Sequence, residues 1–160
     1  MNAVVKVDFS QALEPYDPFA PQLFPAIPTR QAIFALEDAI RSFPEEQREG
    51  FDNIHNFCPG VYARTIYMKA GLVLTSKIHM TQHFFMVSKG SCTVVNSHGE
   101  KELIVAPYLG VTMPGTKRAL HIHEDCIWTT FHATTLTDLE EIEKQIMAEN
   151  FDRFDAENSL

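Results

Sequence analysis

The chain has 160 residues, 45% of them apolar and 21% charged, the balance of a single globular domain able to bury a core without disulfides. Its net charge of −8, with no basic tract, argues against a nucleic-acid partner, which needs clustered Lys and Arg, and against an anionic membrane surface. No apolar run approaches a membrane span, and Lys6 and Asp8 place charge too early for a signal peptide.

Five prolines, Pro15, Pro18, Pro21, Pro25 and Pro28, interrupt residues 1–28. Proline at that density predicts an extended arm, and Phe9, Tyr16, Phe19 and Phe24 give it apolar surface to bury on its own barrel or on a neighbouring subunit. Residues 29–59 read as a helix and linker. Ile33, Leu36, Ile40 and Phe43 share one helical face, Thr29 suits the N-cap, and Pro44 ends the helix.

Residues 60–134 change pattern. GVYARTIYM, HFFMVS, SCTVVN, KELIVA, LGVTM, ALHIH and CIWTTFH are short segments rich in β-branched and aromatic residues. Asn96-Ser97-His98-Gly99 reads as a hairpin turn and Glu124-Asp125 as another. Many short strands predict a sandwich or barrel rather than a parallel α/β sheet. Residues 135–160 return to helical period. Thr137-Asp138-Leu139-Glu140 reads as a capping box, and Leu139, Ile142 and Ile146 form a narrow apolar stripe. Cys58, Cys92 and Cys126 are irregularly spaced and read as reduced, packed thiols.

Of the seven histidines, His79/His83 and His121/His123 have spacings that raise the question of a metal. Gly71 is followed by five residues, Lys77, Ile78, His79, three residues, His83, six residues and Gly90. This frame resembles the first motif of the cupins, G-x5-H-x-H-x3-4-E-x6-G, with Lys77 in place of a His ligand and His83 in place of the Glu. Aligned on Gly115, the second cupin motif falls on Pro107, Met113, Gly115, Arg118 and Ile122, with Arg118 in the fourth ligand slot. The resemblance implies a mainly β fold. The expected architecture is therefore a cupin-type jelly-roll barrel, to which the residue patterns above add an extended N-terminal arm, one N-terminal helix and one C-terminal helix, in one globular domain overall.

Two cations in ligand slots oppose a divalent metal, because arginine cannot be neutralised. Lys77, His79, His83 and Arg118 would instead make a cationic pocket for a carboxylate or phosphate. The bland alternative is that Lys77 and Arg118 pair with acids and hold the barrel together. Should a divalent transition metal bind, His79 and His83 would hold it, with His132 as a third ligand. Strand parity places His121 and His123 on the face opposite Arg118. No nucleophile elbow or phosphate-binding loop is present, and Glu100 and Glu102 are the only carboxylates between Gly60 and Leu120, so no catalytic residue is assigned.

FCPGVYARTIYMKAG, HMTQHFFMVSKG, PGTKRALHIHEDCIWTTFH and DLEEIEKQIM together resemble a group of small cupin-like proteins encoded by tailed bacteriophages. That resemblance implies a non-enzymatic virion protein, a capsid cement or decoration subunit. It would be made in the host cytoplasm, would self-associate, and would contact capsid or other virion proteins without a cofactor. The alternative is a soluble cytoplasmic cupin: a metal-dependent oxygenase or isomerase, or a small-anion binder using His79, His83, Lys77 and Arg118.

Overall fold

The computed structural model describes residues 4–6, 29–45 and 51–158. The expected arm over 1–28 lies outside these residues except at Val4–Lys6 (β1), a strand antiparallel to Leu72–Thr75 (β4).

Helix α1, Thr29–Ser42, runs one residue earlier than the spacing predicts at each end, with Thr29 as its first residue. It lays Ile33 and Ile40 into the protein, and Ile40 and Leu36 pack on Val73 of β4. Phe43 falls beyond the helix and is largely exposed.

The remaining strands of the main sheet are Asn53–Cys58 (β2), Val61–Met68 (β3), His83–Asn96 (β6), Lys101–Val105 (β7), Tyr108–Thr112 (β8) and Arg118–Ala133 (β9). A second small pair joins Ile78–His79 (β5) to Met147–Ala148 (β10). All pairings are antiparallel.

The architecture rests on two long strands. In one half, the order is β2-β3-β9-β6-β8, using residues 83–87 of β6 and 126–133 of β9. In the other, the order is β1-β4-β9-β6-β7, using residues 91–96 of β6 and 118–122 of β9. The inner faces of both halves meet in one core containing Ile66, Leu74, Phe85, Val94, Ile104, Leu120, Ile122 and Trp128. This is the mainly β antiparallel barrel that the sequence predicts.

Between the halves, β6 changes parity. His83, Phe85 and Val87 point inward, then Cys92 and Val94 do, with register irregularities between Val87 and Cys92. Such a bulge bends a strand and adds one residue to one side of the ladder. HFFMVS and SCTVVN are therefore one bent strand rather than two. The same holds for ALHIH and CIWTTFH, so Glu124-Asp125 is not a turn. It lies within β9, where Asp125 accepts from the Ala70 amide at 3.0 Å and Glu124 accepts from Ser91 Oγ at 2.8 Å. The Asn96–Gly99 hairpin forms as predicted: Asn96 Oδ1 accepts the amides of His98 and Glu100, and Gly99 has φ +86°.

The C-terminal segment holds two helices rather than one, α2 (Leu139–Ile146) and α3 (Phe151–Asn158). Helix α2 is capped by Asp138, which accepts from Glu141 N, one residue later than the capping box predicts. It ends because Met147 and Ala148 leave the helix to pair with β5. Phe151 then begins a new helix against Ile78 and Ala148. Cys92 and Cys126 are packed thiols, but Cys58 is exposed at the end of edge strand β2.

Candidate functional site

The barrel interior divides into an apolar part and a polar end. Continuing the inward rows of β3, β6, β8 and β9 past Phe85 and Trp128 gives Tyr62, Arg64, His83, Thr112, Thr130 and His132. Inward positions of a strand alternate strictly, so these side chains share one space because their neighbours on the same rows make the core. Strand β5 adds His79, whose backbone amide is held by Thr116 O at 2.9 Å.

Three imidazoles cluster here. The His79 and His83 rings are 4.7 Å apart and the His83 and His132 rings 4.2 Å apart, centroid to centroid. All three are buried. Burial holds His79 well below the ordinary histidine range, with His83, Arg118 and Arg64 adding repulsion. It lowers His83 to about 4, aided by Arg118 and Arg64 and opposed by the Thr81 carbonyl. It lowers His132 to about 3, aided by His83 and Arg64. The cluster is therefore neutral at pH 7.

The tautomer of His83 follows from its partner. Nδ1 lies 2.9 Å from Thr81 O, which can only accept, so Nδ1 carries the hydrogen and Nε2 of the neutral ring presents a lone pair. That Nε2 is buried with no hydrogen-bond partner among the described residues, as are His79 Nδ1 and His132 Nδ1. His132 Nε2 lies 3.1 Å from Thr130 Oγ1. The Tyr62 ring stacks on His132 at 5.9 Å, and its hydroxyl lies 2.7 Å from Nδ1 of His55 on β2.

Two guanidiniums flank the imidazoles. Arg118 donates to Thr112 Oγ1 at 3.0 Å, directly opposite His83 in the ladder, and sits over the Phe85 ring at 5.2 Å. Burial lowers its pKa to about 10, which leaves it charged. Arg64 touches Met147 Sδ at 3.9 Å, and its Nε is buried without a partner. Neither arginine forms an ion pair with any described residue. Glu102 acts favourably on Arg118 and Glu143 on Arg64 from beyond ion-pair distance, but burial outweighs them and lowers both guanidiniums.

The structure thus brings His79, His83, His132 and Arg118 together and leaves Lys77 out. Lys77 Nζ pairs with Glu143 at 2.6 Å and Glu149 at 2.8 Å, on α2 and beyond β10. Burial alone would lower its pKa, but these two carboxylates raise it. The bland reading is thus the right one for Lys77. Arg64 takes its place in the cluster. The signal was available: Arg64 shares strand parity with Tyr62, Ile66 and Met68. As parity predicts, His121 and His123 face away from the cluster, and His123 meets Thr93 at 2.7 Å.

A divalent metal, which the resemblance to cupins implies, fits these residues poorly. The imidazoles have the right chemistry, but among the described residues no three His, Cys, Asp or Glu side chains are placed to hold a metal ion. Arg64 and Arg118 add two positive charges at the same end.

Fold and site define a class: an antiparallel β-barrel with a polar, cationic inner end. Among solved structures, similar chains include a cupin-2 domain protein from Shewanella frigidimarina, at 11% identity and TM-score 0.45 over 62% of this chain and 92% of that one. Another is the acetylacetone dioxygenase of Acinetobacter johnsonii, at 17% and 0.42 over 57% and 65%. A third is the salicylate 1,2-dioxygenase of Pseudoaminobacter salicylatoxidans, at 16% and 0.49 over 73% of this chain and 32% of that one. No family model and no curated protein matches the chain. None of the described helices is long and apolar enough to cross a membrane.

Proposed function

We propose that the barrel binds a small hydroxy acid, with its carboxylate on Arg118 and Arg64 and its hydroxyl donating to His83 Nε2. The observation that carries this reading is the pairing of unlike needs in one place. Two guanidiniums without an ion pair among the described residues suit an anion, and an imidazole lone pair without a donor suits a hydroxyl. An anion without a hydroxyl, such as propionate, would satisfy the arginines and leave His83 unpaired. The reading is of a binding protein rather than an enzyme. Imidazoles with pKa values near 4 and 3 are weak bases, and Glu102 is exposed and already accepts from Tyr108 at 2.8 Å.

Thermal shift and titration calorimetry with lactate, malate, propionate and inorganic phosphate test it. Lactate or malate is expected to bind and raise the melting temperature. Propionate, which lacks the hydroxyl, should bind about fivefold more weakly, the equivalent of one net hydrogen bond of about 1 kcal/mol. Arg118→Met should abolish the effect. No stabilisation by any of the four, or the same stabilisation in Arg118→Met, would sink the reading. A stoichiometric transition metal in protein purified without a tag or chelator would replace it with the metal-dependent alternative.

A second reading, a capsid cement or decoration subunit, draws support from exposed apolar side chains on the barrel's outer surface. Its test is the protein's copy number in purified phage particles, where absence above trace level overturns it.

A further inference from the structure

His121 and His123 stand two apart on β9, on either side of the buried Ile122, and point away from the barrel interior. The inner site leaves them unused. Residues two apart on a strand share a face, and their side chains run side by side. Here the ladder is also irregular. It steps from Ile122 opposite Cys92 to Glu124 opposite Ser91, which leaves His123 as the extra residue on β9. A bulge of this kind re-aims the side chain it carries. The two imidazoles end with ring centroids 4.6 Å apart and planes at 70°. Nε2 of His123 lies 2.7 Å from Thr93 Oγ1 on β6. Thr93 is directly opposite His121 in the ladder, so the hydroxyl and both rings share one small patch. His123 is exposed and His121 half-buried.

We propose that His121 and His123 form a two-imidazole site for a divalent transition metal, Cu²⁺ or Ni²⁺, on the outside of the barrel. The ring separation selects the metal class. A metal–nitrogen bond of about 2.0 Å puts the ion about 3.2 Å from each ring centre. Two rings at about 90° around the ion then lie about 4.5 Å apart, and two at the tetrahedral angle about 5.2 Å apart. The observed 4.6 Å matches the first. Adjacent ligands at a right angle belong to tetragonal Cu²⁺ or Ni²⁺ rather than to tetrahedral Zn²⁺. Thr93 supplies the partner that such a ligand needs. When Nε2–H of His123 donates to the Thr93 hydroxyl, the ring's lone pair lies on Nδ1, and a metal-bound imidazole characteristically donates its other N–H in this way. The setting also differs from the inner cluster, where Arg64 and Arg118 oppose a cation. The ladder neighbours of His121 are Val73 and Thr93, both uncharged, in a chain of net charge −8. With two protein ligands and no third among the described residues, the other positions fall to water, and the ion is exchangeable rather than part of the fold.

Titration calorimetry of the untagged full chain with Ni²⁺, and electron paramagnetic resonance with Cu²⁺, test the assignment. One Ni²⁺ per chain is expected, with a Cu²⁺ spectrum coupled to two nitrogens. His121→Asn and His123→Asn should each weaken Ni²⁺ binding at least about tenfold, because the second imidazole no longer binds intramolecularly. Thr93→Val should weaken it about tenfold through the tautomer of His123, and Thr93→Ser should restore it. His98→Asn, at an exposed histidine of the hairpin, should change nothing. His123 is exposed, so His123→Asn should keep the wild-type circular dichroism spectrum and serves even where His121→Asn fails to fold. No Ni²⁺ binding by the wild type overturns the proposal, as does equal binding in the wild type and His123→Asn. Loss of Ni²⁺ in His83→Gln with retention in His123→Asn also overturns it, because the ion then sits inside the barrel with His79, His83 and His132.

Discussion

His83 and His132 make the barrel's stability depend on pH in a window where few other groups titrate. Folded, their pKa values are about 4 and about 3; unfolded, both return to about 6.5. Between these limits the unfolded chain binds more protons than the folded one, so stability rises with pH. The contribution is complete above pH 6.5 and is lost as pH falls toward 4. Each imidazole costs about 1.4 kcal/mol per pH unit across that window. His79, lowered in the same direction, adds to the slope, and His55 and His121 lean the same way. Glu37, Glu143 and Glu149 are lowered from 4.5, so their share is lost only below that. Urea denaturation at pH 7.5, 6.5 and 5.5 should therefore show an unfolding free energy that falls little in the first step and more steeply in the second, less so in His83→Gln. A flat profile above pH 5 would mean that the imidazoles are not held neutral. At this scale the site was half legible in the sequence. His79, His83 and His132 could be named because their residue type is rare and their strand parity countable. Lys77 was misplaced because motif spacing fixes a backbone position, whereas Glu143 and Glu149, which capture its ammonium, lie more than sixty residues away along the chain. Arg64 was overlooked because one arginine in an otherwise ordinary strand pattern carries no motif.

Helix α1 is fastened to the barrel by one buried ion pair. Lys117 is 2% exposed, its Nζ 2.5 Å from Glu37 Oε2, 2.7 Å from Ser76 O and 4.8 Å from the Phe34 ring centre. Burial would raise the pKa of Glu37, but hydrogen bonds from Lys117 and Arg41 outweigh it and hold the carboxylate low. Removing one partner strands the other charge, so Lys117→Met should cost about 3–5 kcal/mol. The pair Lys117→Met with Glu37→Leu should recover most of that, since a well-packed apolar replacement is often neutral. Hydrogen exchange should find α1 opened in the single variant and protected in the double. A second test concerns the bend in β6. Gly90 has φ +82°, and a Cβ there would press into the backbone carbonyl of Asp125. Gly90→Ala should destabilise by about 1–3 kcal/mol or more, from left-handed strain plus the displaced β9 backbone. Strands were legible wherever β-branched residues ran between turn signals. Their continuity was not, because a bulge leaves the local pattern of two short strands intact while hydrogen bonding joins them. Glu124-Asp125 looks like a turn by composition, and only the backbone pairing of β9 with β6, which sets Glu124 opposite Ser91, makes it part of a strand. The break at Met147 was equally hidden, since β10 exists only through its pairing with β5.

At the scale of the whole molecule, one set of strands carries two different faces. The polar inner end of the barrel and the exposed apolar sheet face are distinct surfaces. The first is built from inward positions of β3, β6 and β9 and the second from the outward positions that alternate with them. Strand parity thus lets one set of strands serve both. It predicts that Met86→Glu, on the outer face of β6, should leave the rise in melting temperature with lactate or malate unchanged. A ligand effect lost in that variant would instead mean that the outer face shapes the inner end, through β6, the strand that carries both surfaces.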